Sequence, residues 1–415
     1  VARTAAAQVA VLHTSVDASV EAAAEALTRG DPLTALDLVA LRRDAVCLAL
    51  RGTAMAQLGD YASAKALLLQ ARDAGSGLLG ARTDVALAEV EVALRELTTD
   101  IEPLVRAGAV LQAAGDVHNA SLATLVLARR ALLLGRVTDA AKSRNALDLR
   151  GLPPRLQVIA ELVSVEIGMR CGSASSARAA LLRASEALVE APVPGLRAEI
   201  DDAHRRLEQP AASILRDQVE SKADLAAVEA LATEDILVVD ACRRELRTRT
   251  AAVSLSTRLV PFDLARELAA TWPEPADRDA LIRTVFGARR IRDSDRVKLR
   301  VEVGRLRPLI AAVAAVEPVG PGYVLRPLAA DVAVLSPPFE GEGAMIRALL
   351  ADGAAWSAAA VAAALGVSVR TAQRLLKQAA EAGDVVLSGS GRTTRWVLMQ
   401  SHALRTPLLL PRHDV

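Results

Sequence analysis

The sequence predicts a mainly α protein: a helical repeat array over the first half, then two smaller domains mixing helices and strands. Three observations carry this. Apolar residues make up 52% of the 415 positions, yet aromatic ones only 2%, and the first 254 residues hold a single one, Tyr61. A core built from Ala, Leu and Val favours closely packed helices over sheets. Gly-Asp turns followed by small residues recur along the first half, and composition changes near residue 210, beyond which runs such as Ile236–Asp240 read as strands. The length itself exceeds what one hydrophobic core usually organises.

Composition also excludes classes. Fifty Lys and Arg stand against 49 Asp and Glu, so bulk charge marks neither a polyanion-coated nor a membrane-surface protein. No run of about 18 apolar residues suggests a membrane helix. No charged-then-apolar leader opens at Val1, and Cys47, Cys171 and Cys242 lack metal spacing. Reduced thiols and a cytoplasmic location are the expectation. The five histidines form no metal pair, no phosphate loop or nucleophile elbow is present, and no nucleophile, base and stabiliser converge. A non-enzymatic protein without cofactor or metal is expected.

In the first half, Leu50–Ala71 combines Gly52, able to let two helices touch, the turn Gly59-Asp60-Tyr61, and Ala64, Leu68 and Ala71 facing the partner helix. This stretch resembles a tetratricopeptide repeat. Weaker copies surround Gly30-Asp31, Gly115-Asp116, Gly135 and Gly172, with Ala35, Ala120, Ala140 and Ala177 after the turn and Gly108 as a further small contact. The 20-residue gap between Gly115 and Gly135 suggests one helix serving two turns. The resemblance spans residues 5–190 and implies a tetratricopeptide-like domain over 1–210; a plain helical bundle is the alternative. Such arrays offer grooves for a peptide or protein partner, or join two protomers. Arg129, Arg130 and Arg136 are candidates to line a groove, or simply a solvated face.

In 211–328 the pattern predicts a short helix over 211–232, a strand at Ile236–Asp240, and short strands at Arg244–Arg247 and Ala252–Leu259. Helices Phe262–Thr271, Asp277–Phe286 and Asp295–Ala315 follow, then a strand-turn-strand at Val316–Leu325. Asp279–Gly287, Val301–Arg307 and Pro318–Leu325 are similar to the positioning helix, recognition helix and wing of the winged-helix domain of response regulators, the OmpR/PhoB type. On the recognition-like helix Leu299, Val303, Leu306 and Ile310 form the buried stripe. Val297, Val301, Gly304 and Pro308 then face outward between Lys298 and Arg305 on one side and Arg300 and Arg307 on the other. These four bases are candidate phosphate contacts, but the centre holds nothing that reads a base edge. The alternative is a protein-contacting wing.

A Pro-containing connector, Arg326–Phe339, separates a third domain, 339–400, followed by a tail, 401–415. Helices at Glu342–Ala351, Ser357–Leu365 and Val369–Ala382 precede strands at Val385–Leu387 and Trp396–Met399. Val361–Leu376, with Gly366 at the turn and Ser368 as helix cap, resembles the winged helix-turn-helix of bacterial repressors and activators. Behind a buried stripe of Ala372, Leu375, Leu376 and Ala379, Arg370, Arg374 and Lys377 form one basic line with Thr371 and Gln373 beside it. Arginine pairs with guanine, glutamine with adenine, threonine with a methyl group or phosphate. Arg392, Thr394 and Arg395 on the wing complete the candidate set. Residues 1–234 carry net −5 and 235–328 net +5, as expected of a receptor half joined to a DNA-binding half. The expected function is a cytoplasmic transcriptional regulator that dimerises and binds duplex DNA, with no membrane partner. A non-enzymatic scaffold subunit whose winged helices contact protein is the alternative.

Overall fold

The computed structural model describes residues 18–190, 193–337, 344–350, 354–389 and 394–398. The chain is mainly helical, and among the described residues strands occur only from Ala212 onward. It forms two compact units. One joins the helices up to residue 206 to the segment beyond residue 345, and the other holds 207–344 together with residues 172–174.

In the first unit, helix α1 (18–29) is followed by α2 (Pro32–Val39), α3 (Ala45–Gln57), α4 (Tyr61–Ala74), α5 (Gly77–Ala93) and α6 (Glu102–Ala113). Then come α7 (Val117–Leu133), α8 (Val137–Asn145), α9 (Pro154–Cys171), α10 (Ala174–Glu190) and α11 (Pro194–Glu208). From α2 to α9 each helix packs on the next. The turns explain why. Gly59 adopts φ +83°, which lets the chain reverse, and the Asp60 carboxylate accepts from Ser63 N at 3.1 Å to start α4. Gly30-Asp31 and Gly115-Asp116 repeat the device on Thr34 N and Asn119 N. One helix, α7, does span the 20 residues between Gly115 and Gly135. Ala35, Ala64, Ala140 and Ala177 are fully buried. Close approach is literal at Gly52, where a Cβ would lie 2.7 Å from Leu68 Cγ, and at Gly168, where it would lie 2.9 Å from Ala177 N.

Alternate helices turn polar side chains inward. Gln57 of α3 and Arg155 of α9 both donate to the Leu27 carbonyl of α1, at 3.1 and 3.0 Å, and Arg155 also to Thr28 O. Arg129 of α7 pairs with Glu199 of α11 at 2.9 Å. Between them Glu89 of α5 is 4% exposed, and neither of its oxygens has a hydrogen-bond partner. Burial drives its carboxyl pKa well above the ordinary value; Arg129 opposes that shift, Glu199 adds to it and Arg155 opposes it. The expectation that Arg129 and Arg130 are exposed groove arginines is therefore corrected. Arg130 donates to Leu97 O at 2.8 Å and Thr99 O at 3.0 Å, so both are internal ties, and of the three only Arg136 is exposed.

The second unit departs from expectation at both ends. Residues 211–223 are not helical but a hairpin, β1 (Ala212–Arg216) and β2 (Val219–Ala223), ahead of the short α12 (Leu225–Ala230). Its two-residue turn puts Asp217 and Gln218 at positive φ, a conformation that Asn-Gly signals far more plainly. After β3 (Ile236–Asp240), β4 (Glu245–Arg247) and β5 (Ala252–Ser254), α13 (Leu259–Ala270) begins at Leu259, which the sequence reading placed in a strand. The short β6 (Ala276–Asp277), α14 (Arg278–Phe286), α15 (Asp293–Ile310) and the pair β7 (Ala314–Val319) and β8 (Gly322–Pro327) follow. The basic helix thus ends at Ile310, and Ala314 and Ala315 belong to β7.

The expected connector contains a further strand, β9 (Asp331–Ser336), lying between β1 and β3 and parallel to β3. The six-stranded order is β2-β1-β9-β3-β4-β5. Val332 and Val334 pack into the core under α13 and α15, while Ala333 and Leu335 face the core made with Val228 and Leu231. A strand buried on both faces reads as a plain apolar run without alternation, which is why it resembles a linker in sequence. The middle unit accordingly extends to Ser336 rather than closing at 328.

Candidate nucleic-acid interface

The C-terminal segment builds a helix, turn, helix and hairpin from local signals. Ser357 Oγ accepts from Ala360 N at 3.1 Å to start α17 (Ala358–Leu365). Gly366, at φ +65°, ends it and returns its N–H to Ala362 O and Ala363 O. Ser368 then caps α18 (Val369–Glu381), accepting from Thr371 N at 3.1 Å, and its hydroxyl also meets Thr371 Oγ1 at 2.8 Å. Strands β10 (Val385–Ser388) and β11 (Arg395–Leu398) pair in register, and Trp356 exchanges backbone hydrogen bonds with Trp396. Helix α16 (Ala344–Leu350) is tied to the start of β10 by the Arg347–Asp384 ion pair at 2.6 Å.

Packing sorts the faces of α18. Ala372, Leu376 and Ala379 are buried and Leu375 is half-buried, as the stripe required. Arg370, Gln373, Arg374 and Lys377 are exposed on the opposite side, with Thr371 half-buried at the cap. Their engagements are slight: Arg374 Nη1 donates to Gln378 Oε1 at 3.2 Å, and Lys377 lies 3.9 Å from Glu381. Exposed pairs of this kind hold side chains weakly, about 0.2–1 kcal/mol, so the line remains available to a ligand. On the hairpin, Arg395 is half-buried and donates to the Thr394 carbonyl at 3.1 Å, so it is drawn to its own strand. Arg392 lies outside the described residues.

Helix α15 has the predicted buried stripe of Leu299, Val303, Leu306 and Ile310. Three of its basic flanking side chains make contacts within the unit while remaining exposed. Lys298 Nζ sits 4.2 Å from the centre of the Phe286 ring, Arg305 pairs with Glu302 at 2.7 Å, and Arg307 Nε donates to Val316 O at 2.9 Å. All four are exposed, and Arg300 has no ion pair among the described residues. Val297 and Val301 are about half exposed (53% and 46%), beside an open Gly304. Asp293 and Asp295 occupy the first turn, where they suit the helix dipole but oppose a phosphate.

The sequence reading missed what lies under the C-terminal segment. Its core contains Leu97 of the α5–α6 turn, with Leu133 and Leu134 at the end of α7 packed against it, and Trp356 is fully buried there. Such contacts join residues more than 200 positions apart, and no local pattern announces them. No protein-family model, curated protein or solved structure matches the chain. No helix among the described residues is long and apolar enough to cross a membrane.

Proposed function

We propose that the chain is a DNA-binding transcriptional regulator. Its C-terminal segment acts as a winged helix-turn-helix and inserts α18 in the major groove of duplex DNA. The tetratricopeptide-like array dimerises or engages a peptide or protein partner, in the cytoplasm. The observation that carries this reading is the exposed line of Arg370, Arg374 and Lys377, with Gln373 beside it, on the face of α18 opposite its buried stripe. Three cations on one face at helical spacing match the pitch of a phosphate-lined groove, and Arg and Gln are the side chains that pair bidentately with guanine and adenine. Ser368 starts this helix and Thr371 stands at its first turn, where backbone N–H groups and hydroxyls meet phosphate. In-vitro selection of the purified chain against genomic fragments at near-physiological salt tests the reading. An enriched motif that is lost when Arg370, Arg374 and Lys377 become Ala supports it; salt-sensitive binding without enrichment sinks it.

A second reading, a scaffold subunit, draws on α15. Exposed Val297 and Val301 beside Gly304 leave the centre of its outer face apolar, which suits a protein contact better than a base-reading surface. A complex that survives nuclease and high salt favours this second reading.

A further inference from the structure

The turns that follow α1, α3, α6 and α7 share one hydrogen-bond pattern. In each, a residue at positive φ donates to the carbonyl three back, and its successor donates to the carbonyl five back. Gly59 and Asp60 do so to Ala56 O and Met55 O, Gly115 and Asp116 to Gln112 O and Leu111 O, Gly135 and Arg136 to Leu132 O and Ala131 O. The α5–α6 turn makes the same two bonds, from Arg95 to Val92 O at 3.1 Å and from Glu96 to Glu91 O at 2.9 Å. Here the left-handed position, φ +57°, is held by an arginine instead of glycine. A side chain at that position crowds its own backbone, so the array carries a strain at this one turn that its other turns avoid.

What the side chain does there offers the reason. Arg95 Nη1 donates to Val92 O at 2.8 Å, and its guanidinium carbon lies 5.5 Å from the centre of the Trp356 ring. Trp356 is fully buried at the base of the C-terminal segment, among Leu97, Ile346, Leu350 and Val361. Behind the turn, Arg130 grips the Leu97 and Thr99 carbonyls and Lys65 pairs with Glu96 and Glu91. The foundation is therefore firm on the array side, and the guanidinium spans the joint.

We propose that Arg95 is a latch that fixes the C-terminal winged segment onto the helical array, so that whatever binds or bends the array acts directly on the position of α18. Backbone strain retained at one turn, for a planar cation laid over a buried tryptophan of another element, is the mark of a specialised joint. The latch stands without the DNA-binding reading; only its consequence for DNA rests on that reading.

Arg95→Gly separates the two roles of the residue, since glycine takes the left-handed conformation freely and leaves the turn intact. Amide exchange of the whole chain is the first readout. The expected result is exchange about tenfold faster over residues 346–376, the scale of a lost desolvated cation–π contact, with α2–α4 and α7–α9 unchanged. Leu97→Asp, which places a carboxylate in the same joint, produces the same regional pattern more strongly. Unchanged exchange over 346–376 in Arg95→Gly, or an equal rise throughout the array in both variants, overturns the latch. Affinity for the selected duplex is the second readout, and it falls in Arg95→Gly if the array holds α18 in its binding pose. A wild-type chain that selects no duplex, yet shows the regional exchange, removes the DNA reading and leaves the latch standing.

Discussion

Replacing glycine by alanine in the middle of a helix ordinarily stabilises it by about 0.5–1 kcal/mol, because glycine loses more backbone freedom on folding. Two helices of this chain should answer with opposite signs. At Gly304, in the exposed middle of α15, nothing lies within 4 Å of the position a Cβ would take. Gly304→Ala should therefore show the whole gain. At Gly168 in α9, the added carbon would meet Ala177 N at 2.9 Å, Ala177 Cα at 3.0 Å and Ala177 Cβ at 3.0 Å. Two of these are backbone atoms of α10, so no rotamer change relieves the clash and the two helices must separate by several tenths of an ångström. Overpacking of this kind costs about 1–3 kcal/mol, and against the propensity gain the net is a loss of about 1–2 kcal/mol. Gly52→Ala falls between, because its closest contact, Leu68 Cγ at 2.7 Å, belongs to a side chain, although one with no exposed surface to retreat to. Amide exchange at a series of urea concentrations, read over α9 and α10 for one unit and over α13 and α15 for the other, separates the two units. Gly168→Ala as stable as the parent, or Gly304→Ala less stable, would refute the close-packed account of the array.

Three further outcomes follow from the same geometry. Glu89→Gln should stabilise the chain at pH 8 relative to pH 4. The buried carboxyl has a folded pKa raised above its unfolded value, so its stability contribution is complete at low pH and is lost as pH rises through the folded pKa. Parallel stability–pH curves for parent and variant would contradict this. Arg374→Ala should cost about 1–3 kcal/mol at a selected duplex and relax a single base position, measured by titration against single-base variants of that duplex. Joint Ala replacement of Lys298, Arg300, Arg305 and Arg307 should lower duplex affinity far less than the α18 triple variant. Comparing the two sets by mobility shift at several salt concentrations checks this, and an equal loss would show that α15 grips DNA as well.

The sequence was most legible where a local rule decides structure. Gly59-Asp60, Gly366 and Ser368 set turns and caps through their own backbone and side-chain chemistry, and each stands where the pattern requires. The stripes of α15 and α18 were likewise readable, because periodic burial needs only the spacing of apolar residues. Legibility failed where partners are distant. Strand β9 is stabilised by β1 and β3, more than 90 residues earlier, and the β1–β2 turn uses Asp217-Gln218, which signals no hairpin. Among the candidate bases the residue types were plain, but their engagement was not. Nothing in the spacing says that Arg307 donates to Val316 O or that Lys298 lies over the Phe286 ring. One signal was present and unread: Leu94-Arg95-Glu96 occupies the place of Leu58-Gly59-Asp60, an arginine where the turn asks for glycine.

The contrast between α15 and α18 is what makes α18 the helix on which the proposed DNA-binding function rests. Both bury a clean apolar stripe, and five bases against three acids on α15 leave the same net charge as three against one on α18, so charge alone does not rank them. Base reading, however, requires side chains that are long, polar and unspent at the centre of the exposed face, because each bidentate pair must replace the hydration of a base edge. On α15 that centre is Val297, Val301 and Gly304, and its first turn is acidic. On α18 the centre is Arg370, Gln373, Arg374 and Lys377, held only by weak exposed contacts, and the first turn carries a serine cap and a threonine hydroxyl. The helix that the proposed function relies on therefore belongs to the segment that packs on Leu97, Leu133 and Leu134 of the array.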